Sequence, residues 1–270
     1  MKYRFWEMSW REALEAFERS DIAIVPVGSI HHHGINIIGD DSVISQRLAD
    51  EVGKKTGLLT LPLMPYGESE YHKDYPCINI KQETLTEIYK EICKSLYKFG
   101  IRKVIFINGH GGNRVSLRNA GYDLREDPGM LVAVVNFWKV SKQIKADVLA
   151  PEQTLSFIQE LAMNVAIVGK DAFDLTKHKP VTGLRNIFGG KIKTLGFGQF
   201  EYKGGVVEIP MGAWDEADGE EGGPIDLSID ELYEGGLEII RRLVEWISDL
   251  AEEIGKIDVS TILKPRPLSP

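Results

Sequence analysis

Arg102-Lys103-Val104-Ile105-Phe106-Ile107, running straight into Asn108-Gly109-His110-Gly111-Gly112-Asn113 and then into an amphipathic stretch over residues 114–125, decides the fold. An apolar run with no polar alternation reads as a strand covered on both faces, the signature of a parallel sheet. The glycines after it permit positive φ and close backbone approach, so the loop can thrust one histidine forward without crowding it. A phosphate cradle is the rival use of a glycine-rich strand-to-helix loop, but the Lys-Ser/Thr of a P-loop is missing.

The same unit recurs along the chain. Apolar runs at residues 22–27, 58–63, 103–107 and 131–137 alternate with helical patterns at 10–19, 42–55, 83–99, 114–125, 152–168 and 229–254. The last helix carries Leu232, Leu237, Ile240, Leu243 and Ile247 at helical spacing. Strand–helix alternation of this kind predicts the α/β class: a three-layer α/β/α sandwich with a mostly parallel sheet. Residues 177–223, rich in Gly-Gly pairs, break the pattern and predict an excursion of loops with room for a hairpin. One domain is expected over residues 1–260, with 261–270, ending Lys264-Pro265-Arg266-Pro267-Leu268-Ser269-Pro270, as an extended tail.

Composition narrows the function. A net charge of −8 and no basic cluster argue against a nucleic-acid or anionic-membrane surface. No run approaches the roughly 18 apolar residues of a membrane span, and no signal peptide is visible at Met1. Cys77 and Cys93 lack Cys-x-x-Cys spacing, which excludes a thiolate zinc site and points to the reducing cytoplasm.

The chemistry sits in histidine-bearing loops. Ser29-Ile30-His31-His32-His33-Gly34 follows the first strand, as His110 follows the third, and in open α/β sheets ligands gather at the carboxyl ends of strands. In extended backbone His31 and His33 face one side and His32 the other. Asp40 and Asp41 follow, either as metal ligands or, for one of them, as the N-cap of the next helix. A third loop, Tyr66-Gly67-Glu68-Ser69-Glu70-Tyr71-His72, offers His72 and Glu70 as candidate substrate-contacting or acid/base groups. His178 reads as a solvated loop residue, or one reaching a neighbouring subunit's site. No Gly-x-Ser-x-Gly elbow is present, and neither cysteine has a histidine nearby in sequence to activate it.

Asn108-Gly109-His110-Gly111-Gly112-Asn113 resembles the signature of the creatininase superfamily, and the first loop is similar to its Gly-Ser-x-Glu-x-His-Gly stretch. Pro65-Tyr66-Gly67, His72 and Tyr75-Pro76 extend the likeness to about residues 5–255. The resemblance implies a creatininase-like fold and a divalent-metal site held by His31, His33, Asp41, His110 and Glu160. Asp40 competes with Asp41, because this chain is one residue shorter before that aspartate, and Glu160 could instead face solvent. Where the family has glutamate this chain has His31, and nitrogen for oxygen favours zinc, with manganese or iron next, at one or two ions per subunit. Leu155-Ser156-Phe157 stand where the family often has His-Ala-Gly, a second departure from creatininase proper.

The implied chemistry is metal-assisted hydrolysis of a small ring. The ion polarises a carbonyl and lowers the pKa of its water from about 15.7 towards 7. Relatives cut cyclic amides, formamides and peptide-like bonds, and one branch opens the carbocycle 3-dehydro-scyllo-inosose in inositol catabolism; the overall likeness inclines to that branch. The non-enzymatic alternative is a metal-binding protein without turnover. Family members are often ring-shaped oligomers, frequently hexamers, so the resemblance implies a homo-oligomer acting on a small molecule.

Overall fold

The computed structural model describes residues 2–149, 156–181, 184, 188–216 and 222–262 of the chain. Its central sheet holds four parallel strands, β1 (Ile22–Val27), β2 (Leu59–Thr60), β3 (Lys103–Asn108) and β4 (Leu131–Asn136), in the order β2-β1-β3-β4. The side-chain period of two sorts each strand between two cores. Ile22, Ile24, Ile105 and Ile107 point to one face, against α2 (Asp40–Thr56), α6 (Ser156–Val168) and α8 (Ile229–Gly255). Ala23, Val25, Val27, Val104 and Phe106 point to the other, against α1 (Trp10–Arg19), α3 (Gln82–Tyr97) and α4 (Asn113–Glu126). Helices on both faces explain why these strands read as unbroken apolar runs.

Two of the expected strands end differently. The strand expected over 58–63 is a two-residue β2: Leu61 N–H still donates to Ile24 O at 2.9 Å, Leu63 N–H turns aside to Gln46 Oε1 at 3.0 Å, and pairing resumes only as a bridge between Met64 and Val27. Phe137, expected in a strand, opens the helix α5 (Phe137–Val148). The expected start of α6 at residue 152 lies outside the described residues.

The largest correction concerns the glycine-rich excursion. It contains a three-stranded antiparallel sheet, β5 (Lys193–Gly196), β6 (Gln199–Tyr202) and β7 (Gly205–Glu208), followed by the short helix α7 (Ala213–Glu216). Of the expected tail, residues 261–262 belong to a short α9 (Val259–Ile262), and 263–270 lie outside the described residues. Among the described residues no helix is long and apolar enough to cross a membrane.

Strand order positions the site. From β1 the chain crosses to β2 on one side, then returns to β3 on the other, so β1 and β3 flank the topological switch point. Their register pairs Val27 with Asn108, so the loops starting at Gly28 and Gly109 leave the sheet side by side.

Candidate metal centre

In the loop after β1, His31 and His33 are buried, 1% and 7% exposed, with ring centroids 4.2 Å apart. His32 turns away and stacks on Tyr75 at 4.3 Å. The loop then delivers the chain into α2, whose N-cap is Gly39 with no side-chain cap bond. Neither aspartate therefore caps the helix. Both lie in its first turn, where the positive end of the macrodipole favours carboxylates, and both are buried.

Asp41 is the point of convergence. Its Oδ2 lies 2.8 Å from His110 Nδ1 and 3.7 Å from His31 Nδ1, while its Oδ1 lies 3.5 Å from His33 Nε2. Burial penalises the charged form, yet His33 and His110 outweigh that penalty and hold the Asp41 carboxyl well below the usual range. Burial also pushes His31 far below an ordinary histidine, against the pull of Asp41. Asp40 stands behind, with Oδ2 3.5 Å from His33 Nδ1, and Glu160 of α6 places Oε2 3.9 Å from the same nitrogen.

The loop after β3 explains its own glycines. A Cβ at Gly109 would collide with the Asp41 carbonyl and Ser45 Oγ, and one at Gly112 with the Glu68 carbonyl and carboxylate. His110 Nε2 lies 2.6 Å from the Glu68 carbonyl, which can only accept, so Nε2 carries a hydrogen. Nδ1 then faces the Asp41 carboxylate at 2.8 Å, an arrangement that calls for a cation between them or a second proton on the ring. Asn113, fully buried, ties the loops together. Its Nδ2 donates to Gly28 O at 2.9 Å, and its Oδ1 accepts from Glu68 N–H at 3.1 Å.

The third loop contributes His72, in a short 3-10 turn (Glu70–His72), 6% exposed and with its ring 4.0 Å from His31. Burial, with His110 and His33 adding to it, pushes its pKa down to about 3, and its buried Nδ1 has no hydrogen-bond partner among the described residues. Glu70, offered by the sequence as a similar group, departs from that expectation. Its side chain is 56% exposed and bonds outward to Lys73 Nζ at 2.6 Å and Asn79 Nδ2 at 2.9 Å. Polar residues in a surface loop are legible from sequence; which way they turn is not.

Several participants escaped the sequence. Ser29 Oγ bridges His31 Nδ1 at 2.9 Å and Ser69 Oγ at 2.7 Å. Half-buried Glu68, its carboxyl raised by burial, lies over Gly112 beside His110. Tyr71 donates to Glu216 Oε2 at 2.6 Å, and Gly198 N–H donates to Oε1 at 2.8 Å, so α7 and the small sheet are joined to the turn that bears His72. The alternation Ser29-x-His31 was the one available signal. His178 stays apart, stacked on Phe157 at 5.3 Å and 2.9 Å from Gly223 O, so it is not the fully solvated residue expected.

The donor set fits a divalent ion. Ligands about 2.1 Å from a tetrahedral ion lie about 3.4 Å apart, and neighbours on an octahedron about 3.0 Å. The separations of 2.8, 3.5 and 3.7 Å around Asp41 bracket those values. Two triads have ligand atoms within 4.8 Å of one another: His31, His33 and Asp41, and His33, Asp40 and Glu160.

A buried histidine–carboxylate cluster at the switch point of a parallel sheet defines an α/β protein with a potential metal-binding centre. The chain belongs to the creatininase family: the family model, creatinine amidohydrolase, matches residues 6–158. That family consists of metal-dependent hydrolases. Over 110 residues the chain is 32% identical to the 3-dehydro-scyllo-inosose hydrolase of Thermotoga maritima, covering 40% of this chain and 35% of that protein. Over 152 residues it is 24% identical to the creatinine amidohydrolase of Pseudomonas putida, covering 50% and 58%. The matched stretches thus span less than two thirds of either relative. Among solved structures, a manganese creatininase superposes with a TM-score of 0.73 at 20% identity, covering 95% of this chain and 100% of that one. A mutant creatininase of zinc–zinc type gives 0.72, also at 20% identity, with the same coverage. At such identities the structural likeness speaks for the fold.

Proposed function

We propose that this chain is a divalent-metal-dependent hydrolase that opens a small cyclic ketone, 3-dehydro-scyllo-inosose, at a carbonyl. The observation that carries the metal chemistry is Asp41, whose two oxygens face His33 on one side and His31 with His110 on the other. His31, His33, Asp41 and His110 would hold the ion. A donor set this rich in nitrogen favours zinc, with manganese or iron next, over magnesium or calcium. Such an ion, when bound, polarises a carbonyl and makes its water acidic near neutral pH.

The chain's own groups do the rest. His72, neutral at physiological pH because burial pushes its pKa to about 3, is too weak a base there to take the water's proton and instead contacts the substrate. Asp41 and the Glu68 carbonyl fix the His110 ring from both sides. The choice of ring ketone follows the 32% relative and the replacement of the family's glutamate by His31. Cleavage of a cyclic amide or formamide is the second possibility, favoured by the longer, 152-residue match to creatinine amidohydrolase. We extend the proposal to a cytoplasmic homo-oligomer acting on a free small molecule, with light scattering after size exclusion as the check on assembly.

The deciding experiment loads the purified protein with zinc, manganese or iron and offers the inosose, creatinine and N-formyl compounds. The expected result is consumption of the inosose that a chelator abolishes. Turnover of creatinine with none of the inosose would replace the first substrate class by the second. No hydrolysis of any of them, with metal bound, would leave a metal-binding protein without these activities.

A further inference from the structure

His33 has an acidic neighbourhood on both edges of its ring. Nε2 lies 3.5 Å from Asp41 Oδ1, and Nδ1 lies 3.5 Å from Asp40 Oδ2 and 3.9 Å from Glu160 Oε2. Distances alone would let an ion sit on each edge. Valence does not: a neutral imidazole has one lone pair, and its other nitrogen carries a hydrogen. Serving two ions would require the fully deprotonated ring.

The two edges differ in what else they offer. On the Nε2 edge Asp41 is shared with the nitrogens of His31 and His110, a mixed set of donors converging on one carboxylate. On the Nδ1 edge both partners are carboxylates, which accept an N–H readily, and a ligating histidine almost always gives its second N–H to such a group. Asp40 is shaped for this. It is fully buried in the first turn of α2, forms no cap bond, and points its carboxylate at His33.

We propose that Asp40, with Glu160 flanking it, is a positioning residue that receives the Nδ1 hydrogen of His33 and aims its Nε2 at the ion beside Asp41, and that the two carboxylates hold no second ion. This rests on the metal centre proposed above. It gives Glu160 a task different from the ligand role that the family resemblance implies. It also gives Asp40 and Asp41, adjacent in sequence, separate tasks, one behind the ring and one in front of it.

The test compares zinc binding by the full chain and its D40N, E160Q and D41N variants, with metal content from elemental analysis and affinity from competition with a chelator. D40N and E160Q should keep the wild-type number of ions per chain and bind about 10- to 100-fold more weakly. D41N should lose bound zinc. Long-range proton–nitrogen spectra of the zinc-loaded chain should show His33 with a hydrogen on Nδ1 and none on Nε2. Loss of one whole ion per chain in D40N or E160Q, or a His33 ring with no hydrogen on either nitrogen, would overturn the proposal while leaving a metal centre standing. A wild-type chain that takes up no divalent ion would sink the metal centre, and this proposal with it.

Discussion

Two glycine-rich stretches of this chain use glycine for opposite reasons. Between β3 and α4, Gly109 and Gly112 supply space: the Asp41 backbone and Glu68 press where a Cβ would stand. In the small sheet, Gly198 and Gly204 supply angle, with φ of +70° and +82°, and nothing lies within 4 Å of a Cβ at Gly204. The first use locks a site together from three loops. The second reverses strands, and at Gly198 it also presents an N–H to Glu216. A glycine count cannot separate them, whereas their flanks can: a long buried strand precedes the first, and short, mostly exposed strands surround the second.

The sharpest way to break the contrast is at the centre itself. Asp41→Asn should lower zinc affinity by more than about 100-fold, beyond the usual cost of a supporting residue, as read by competition with a chelator. Gly109→Ala should cost about 3 kcal/mol in chemical denaturation, the upper range for overpacking, because the obstacle is the Asp41 backbone, and it should weaken zinc binding as well. Next comes His72, with a folded pKa of about 3 against about 6.5 for an unfolded histidine. The unfolded chain takes up that proton first. Metal-free protein should therefore lose up to about 1.4 kcal/mol per pH unit from this group as pH falls from about 6.5 to about 3. His72→Gln should flatten that part of the stability curve, and an unchanged slope would contradict a buried neutral ring. Smallest is Gly204→Ala. It should cost about 1 kcal/mol for a left-handed backbone and leave zinc affinity unchanged.

Much of the architecture was legible in sequence where burial on both faces wrote itself as unbroken apolar runs. β1 and β3 fall on the expected residues, with β3 extended by Asn108. Other parts were hidden for identifiable reasons. Asn136 passes directly into Phe137 without a glycine or proline, so the turn from β4 into α5 left no mark. The strands β5 to β7 alternate weakly or are exposed throughout, giving no periodic signal. Within the site, loop position and residue type brought His31, His33, Asp41 and His110 into view. The outward turn of Glu70, the approach of Glu68 to Gly112, and the bond between Tyr71 and Glu216, 145 residues apart, arise only from packing.

Asn113 has a consequence for how the centre comes into being. One carboxamide holds Gly28 of the first loop and Glu68 of the third, and its own residue opens α4 directly after the His110 loop. With Ser29 bonded to Ser69 and His110 to the Glu68 carbonyl, this carboxamide makes the placement of each loop depend on the other two, so that His31, His110 and His72 are set together. The centre should thus be either whole or absent, and a chain damaged here would fail as an empty protein rather than as one that grips the wrong ion loosely.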